Sequence, residues 1–266
     1  MFEVKEIETD NTDYKGLLKK SPQSSIWSDP SCPVYRGLDD KLFGVYKGNE
    51  LTGGCLVHTT EQGILPYVPY APWNGPIFRQ ERESENSEML SVLLATLRHR
   101  FGHVTLTLPP ELQDVRPATW AWMRTHVRYT YRGRGVPEFS RRVKVNHGCQ
   151  VEMLCLDDIL PYQCWELTCE DSLVIALVDH RYIYYWKANE KGKHHAEILY
   201  WILNYSKLSG LGWDLVGCNS PQRSLFKRGF GGKLTPYYAI TTLEERDLRE
   251  VPAGTCTPGP RSVQAV

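Results

Sequence analysis

Apolar and polar positions along this chain fall into two rhythms, one of period two and one of period 3.6. A helical stretch at 14–20 precedes a segment dense in turn formers at 23–37 (QSSIWSDPSCPVYRG). Residues 42–47 (LFGVYK) and 51–59 (LTGGCLVHT) predict two strands joined by a turn at Gly48 and Asn49. Residues 64–78 (ILPYVPYAPWNGPIF) carry too many prolines for a central strand and predict a strand running into an extended, aromatic-lined loop. Across 81–100, Met89, Val92, Leu93 and Leu97 recur at helical spacing behind acidic first turns, as the helix dipole prefers. A strand at 103–108 (HVTLTL), a short helix at 117–125 and a strand beginning at 128–131 complete the series.

The order then repeats. Residues 173–178 (LVIALV) and 182–187 (YIYYWK) predict a hairpin turning at 179–181. A polar linker at 188–193 leads to a helix at 195–208, whose apolar face holds Ile198, Leu199, Ile202 and Leu203. A strand at 213–217, a short helix at 221–228 and a closing strand at 237–241 follow. Each half therefore reads hairpin, long helix, strand, short helix, strand, with little identity between the copies. Alternating strands and helices define an α/β (α+β) fold with a mixed sheet flanked by helices in each half. The halves are expected at 1–135 and 136–250, divided within the basic, Gly- and Pro-broken stretch 133–146, with a disordered tail at 251–266.

Length and charge narrow the class. The 266 residues suffice for two units of about 130. Thirty-one basic residues balance 31 acidic ones, which excludes a protein held to nucleic acid by bulk charge. The first residues are acidic and lack an apolar core, unlike a secretory signal. No run approaches the roughly 20 apolar residues a spanning helix needs. A cytoplasmic protein without membrane contact is expected. Eight cysteines occur without a CxxC pair, so reduced thiols are expected. Zinc ligands would stand in closer pairs, so no metal is expected.

The segment richest in candidate chemistry is Phe226-Lys227-Arg228-Gly229-Phe230-Gly231-Gly232, followed by Tyr237-Tyr238. Glycines permit a tight turn and close approach of backbone to ligand. A lysine there can stabilise negative charge on a tetrahedral acyl intermediate, and Arg228 can hold a phosphate. On the bland reading the glycines shape a turn and both cations are solvated. GFGG follows a helix and precedes a strand, so it is no dinucleotide fingerprint. The linker 188–195 (ANEKGKHH) offers Lys191, Lys193 and His194 to a phosphate, or to water. Arg132, Arg134, Arg141, Arg142 and Lys144 form a basic stretch that is either a solvated face or a nucleotide, tRNA or sugar-phosphate contact. Tyr67, Tyr70 and Trp73 are candidate walls of a substrate groove, with core packing the competing fate. Glu166 and Glu197 are acid/base candidates by type alone. Cys218 has no flanking nucleophile motif and reads as a buried thiol. His194-His195-Ala196-Glu197 is not a metal motif in this order.

Phe226–Gly232 with Tyr237-Tyr238 resembles the FK-x-GFG…YY ending of the FemAB/BioF2-like acyltransferase (aminoacyltransferase) family of the GNAT superfamily. QSSIW, YAPWNGPIF, FSRRVKVNHGCQVE and HHAEILYWILNYSKLSGLGWDLVG are similar to further elements of that family, so the resemblance spans nearly the whole chain. It implies two tandem GNAT-like halves. It also implies an N-acyltransferase or aminoacyltransferase that moves a group from acyl-CoA or aminoacyl-tRNA to an amine of a sugar, peptide or small metabolite. Carried over, it makes Lys227 catalytic and assigns Lys191, Lys193, His194 and Arg228 to the donor. It assigns Tyr70, Trp73, Arg141 and Tyr238 to the acceptor. GNAT enzymes hold the coenzyme A pyrophosphate on helix N-terminal amides through an Arg/Gln-x-x-Gly-x-Gly/Ala loop, and 188–195 keeps one glycine of it. That departure favours the other class, a catalytically silent binding or scaffold module.

Overall fold

The computed structural model describes residues 1–32, 39–60, 71–79, 83–140, 143–159, 162–189 and 192–242. Tyr67, Tyr70, Arg141, Arg142 and Lys191, and the expected tail at 251–266, lie outside the described residues.

The first half builds a four-stranded sheet from β1 (Phe2–Ile7), β2 (Asp39–Lys47), β3 (Glu50–Thr59) and β4 (Ile77–Phe78), paired antiparallel in that order. Helix α1 (Thr12–Lys20) covers one face and α2 (Glu83–Phe101) the other. Both faces are therefore dry, and both parities of the central strands are apolar. In β2, Phe43 and Val45 join the α2 core, while Leu42 joins Tyr14, Leu17 and Leu18 of α1. Asn11 caps α1 by accepting the Tyr14 amide at 3.0 Å. Strand β1 was not expected from the pattern. It is a sheet edge whose charged Glu3 and Lys5 alternate with Phe2 and Val4 before Glu6 adds a third charge, and edges carry such charges.

The second sheet has eight strands, in the order β5-β12-β6-β11-β10-β9-β8-β7. Its members are β5 (Thr105–Thr107), β6 (Arg124–Arg134), β7 (Glu152–Ile159), β8 (Tyr162–Cys169), β9 (Ser172–Val178), β10 (Tyr182–Ala188), β11 (Gly212–Asp214) and β12 (Lys233–Thr241). The helix α3 (Arg116–Trp120) precedes β6 and ends earlier than the pattern suggested, because β6 runs for 11 residues. Only β10 and β11 pair in parallel among these neighbours. Here the repeat expected from sequence is incomplete, since β7 and β8 add a hairpin to the second half. In β8, Trp165, Leu167 and Cys169 point into the core by strict alternation, but polar residues between them mask the pattern.

The strands of the two halves are exchanged. β6 lies between β11 and β12, and β12 returns between β6 and β5. Helix α4 (His195–Ser209) packs Ile198, Leu199, Ile202 and Leu203 on Trp165, Val174, Ile183 and Trp213. It ends at Gly210, whose φ of 75° is left-handed and suits glycine. The opposite parity of the same sheet, Leu177 and Tyr184, meets Trp27 and Trp73 of the first half in one core. Helix α5 (Pro221–Arg228) matches its expected span, with Ser220 accepting the Arg223 amide at 3.4 Å and proline in the first turn.

Eight reduced thiols were expected, and the structure corrects this for two of them. Cys149 and Cys169 are joined as a disulfide, because the segment before β7 folds against the end of β8. Cys218 is a buried thiol whose pKa burial raises, in keeping with a structural role.

Candidate functional site

β10 and β11 run parallel through three registered pairs, Tyr182–Gly212, Ile183–Trp213 and Tyr184–Asp214, and then part. β10 continues to Ala188, while the chain after Asp214 leaves β10 and stays with β6, the Leu215 amide reaching the Tyr131 carbonyl at 2.9 Å. Val216 and Gly217 turn left-handed there, at φ 41° and 62°. The Val216 amide donates to Asp214 Oδ1 at 2.8 Å, which holds the turn from within.

Lys227 closes this turn. Its Nζ donates to the carbonyls of Leu215, Val216 and Gly217, the last at 3.0 Å, and lies 5.5 Å from the centre of the Tyr185 ring. Apolar residues of a short amphipathic helix are expected to face the core, which would bury Phe226 and turn Lys227 away, and the structure has the reverse. Lys227 is 6% exposed and Phe226 37% exposed. Three carbonyls match the three protons of an ammonium, so the buried cation is fully bonded. Burial pulls its pKa down to about 8, although Asp214 and Cys218 oppose the shift. The last two glycines of the segment approach protein and not an open site. Gly231 and Gly232 adopt φ of 78° and 86°, and a side chain at Gly232 would run into the Trp213 ring.

The loop before α4 has its amides engaged. The Lys193 amide donates to Asp171 Oδ1 at 3.0 Å and the His194 amide to Ser172 Oγ at 2.6 Å. Asp171 lies in the β8–β9 turn and Ser172 opens β9, so a carboxylate of the chain stands where an anion would be expected. The Lys193 amide, first, and the Ser172 hydroxyl lower the Asp171 pKa against the cost of desolvation. The side chain of Lys193 is exposed, and the His194 ring pairs with Glu170 at 2.9 Å. Beside the first turn of α4 lies a groove of about 610 Å³ between α5 and the segment entering the second half. Val143, Ala196, Phe226 and Phe230 supply apolar lining, and Lys144 and Arg228 supply the cations. Arg228 is exposed.

Of the residues expected to bind the acceptor, Trp73 and Tyr238 are among the described residues and lie away from this groove. Trp73 is 1% exposed, so it is core in this structure and not a groove wall. Its Nε1 donates to Ser25 Oγ at 3.1 Å, and its ring meets Trp27, Tyr184 and Tyr237 edge-on. Tyr238 is half-buried against the α2 core, while its neighbour Tyr237 faces the centre of the molecule.

Sequence reasoning missed the polar network around these rings. Arg132 pairs with Asp214 and, at 2.7 Å, with Glu111, and its guanidinium lies 4.9 Å from the Trp73 ring centre. Arg181 meets the same Glu111 oxygen at 3.1 Å and donates to the carbonyls of Pro22 and Ser24. Asp179 accepts from the Tyr184 hydroxyl at 2.8 Å and from the Ile26 amide at 3.2 Å. Burial works against the Arg132 charge, but Asp214 and Glu111 outweigh it and keep that pKa raised. The signal was present in the sequence. LVIALVD places an aspartate directly after an apolar strand and WDLVG places one inside an apolar run, and a carboxylate buried in either setting requires a partner.

No protein-family model matches the sequence, and no curated protein does. Solved structures do match by shape. A crystal structure of FemX aligns over 94% of this chain and 100% of its own, with a TM-score of 0.61 and 10% identity. A tandem GNAT protein from the clavulanic acid biosynthesis pathway, solved without AcCoA, aligns over 91% of this chain and 98% of its own, with a TM-score of 0.50 and 11% identity. The chain therefore has a GNAT-type fold built as two tandem halves. Among the described residues, no helix is long and apolar enough to cross a membrane.

Proposed function

We propose that this chain is a FemAB/BioF2-like acyltransferase, with halves at 1–135 and 136–250, acting in the cytoplasm. It moves an acyl or aminoacyl group from acyl-CoA or aminoacyl-tRNA to an amine of a sugar, peptide or small metabolite. The observation that carries this reading is the opening between β10 and β11, with Lys227 at its mouth and the Lys144–Arg228 groove beside it. A thioester or ester carbonyl held at that mouth is attacked directly by the amine, the new C–N bond replacing the C–S or C–O bond as the coenzyme A thiol or the tRNA hydroxyl leaves with the proton the amine gives up, without a covalent enzyme intermediate. The three protons of Lys227 are already bonded to carbonyls, so it acts on the developing oxyanion through its charge and by fixing the turn. Arg228 and Lys144 pair with donor phosphate. Lys191, Lys193 and His194 remain with the donor, and Tyr70 and Arg141 with the acceptor, as part of the same proposal.

One observation favours a second reading, a GNAT-like binding module without turnover. Asp171 and Ser172 already engage the amides of Lys193 and His194, where a donor pyrophosphate would need them. Native mass spectrometry of the purified chain with acetyl-CoA, longer acyl-CoAs and charged tRNA separates the two. A retained donor that is consumed when amine acceptors are added supports the enzyme. Retention without consumption supports the module, and no retained donor overturns the transferase.

A further inference from the structure

The observation with the widest reach beyond the proposed reaction lies at the N-terminus of α4. Cys149 precedes β7, Cys169 ends β8, and His194 caps α4; their Sγ atoms and one His194 ring nitrogen all lie within 4.8 Å of one another. The three come from separate elements, 20 and 25 residues apart along the chain, which is why no ligand spacing was legible in the sequence. A second observation points the same way. His194 Nδ1 and Glu197 Oε2 are both buried without a hydrogen-bond partner, and they face each other at 3.8 Å. Glu197 is only 7% exposed, and its other oxygen accepts the Asn146 amide at 2.9 Å. An orphaned carboxylate oxygen and an orphaned ring nitrogen are costly to bury, unless something between them serves both.

We propose that Cys149, Cys169 and His194 bind one zinc ion when the cysteine pair is reduced, and that Glu197, outside that cluster but 3.8 Å from the His194 ring, closes on the ion as the fourth ligand. The donor set suits the ion. Two soft thiolates, a borderline imidazole and a hard carboxylate are all ligands that zinc, a borderline ion, takes in tetrahedral sites. Tetrahedral N and O ligands at about 2.0–2.1 Å from zinc stand roughly 3.4 Å apart, close to the His194–Glu197 separation. The outer shell is in place too. His194 Nε2 meets Glu170 Oε2 at 2.9 Å, a carboxylate that fixes the ring and leaves Nδ1 for the metal. Zinc and disulfide are alternative clasps on the same two sulfurs. A dithiol reductant opens the disulfide to two thiols and leaves oxidised as its own disulfide. Zinc then displaces one proton from each thiol and bonds both sulfurs. Either clasp ties the entry to the second half to the end of β8. The metal adds α4 to that tie, through the residue that follows the donor loop.

The test uses the full chain, reduced, freed of reductant without air, and titrated with zinc against a chromophoric chelator. One equivalent of zinc per chain is expected. Cobalt in its place should give thiolate-to-metal charge transfer and the visible bands of a tetrahedral site. Cys149→Ser and His194→Ala should each weaken binding by at least about 100-fold, and Glu197→Gln by about 10–100-fold. Circular dichroism accompanies each variant, and the cobalt spectrum of the unmutated chain decides the matter if a variant fails to fold. Three results overturn the proposal. The reduced chain takes up no zinc, or Cys149→Ser retains it undiminished, or thiol counting finds the pair still oxidised under every reducing condition that leaves the fold intact.

Discussion

Lys227 is the residue on which the proposed chemistry turns. Lys227→Met keeps most of the stem but removes the charge and three carbonyl contacts. Turnover of the identified donor should fall by about 10²–10³, measured beside the melting temperature. The pH response gives a check that needs no substrate. Burial lowers the Lys227 pKa from 10.5 to about 8. Below about pH 8 folded and unfolded chains both hold the proton; between there and 10.5 only the unfolded chain does. Stability contributed by this group therefore rises with pH across that window. Denaturation midpoints from about pH 7 to about pH 10.5 should shift in favour of the unmutated chain relative to Lys227→Met. A difference that ignores pH would place the lysine in water. The motif around Lys227 was legible, but the orientation of its side chain was not. A short helix offers the pattern too few turns to separate faces, and a carbonyl-lined turn 10 residues upstream leaves no mark in it.

Among the elements, α5 was legible to the residue, because Ser220 and Pro221 mark its start and a glycine follows its end. β7 was missed because it is an edge, with Met153 and Leu154 exposed and charged residues beside them. The groove between α5 and the start of α4 belongs to neither helix alone, so no local pattern announced it. It carries its own prediction. Lys144→Glu with Arg228→Glu should weaken donor binding, and the loss should be larger at low salt than at high salt, where exposed charges are screened. Equal donor affinity in the double variant at low salt, measured by titration, would remove these cations from the donor site.

For the whole molecule, the join between halves is a core in its own right. Trp27, Trp73, Tyr184 and Tyr237 are fully buried there, above the Arg132–Asp214–Glu111 network. Trp73→Ala should cost about 3–5 kcal/mol, and calorimetry should still find one transition, because the halves share a sheet. Two separate transitions would mean that the halves are independent. The two-half plan was legible because each half repeats its strand and helix order. The exchange of β6 and β12 was not, since pairing between strands so far apart in sequence leaves no trace in either one.

That exchange constrains the order in which the molecule can be made. β12 fills the gap between β5 and β6, and about 100 residues separate the end of β6 from the start of β12. At roughly 5–20 residues per second, a ribosome needs on the order of 5–20 s to cross that interval. Throughout it, both neighbours of the missing strand present unpaired backbone, the usual template for pairing with the wrong chain. The nascent first half thus waits for its last strand, and its yield in the cell depends on what shields those two edges in the meantime.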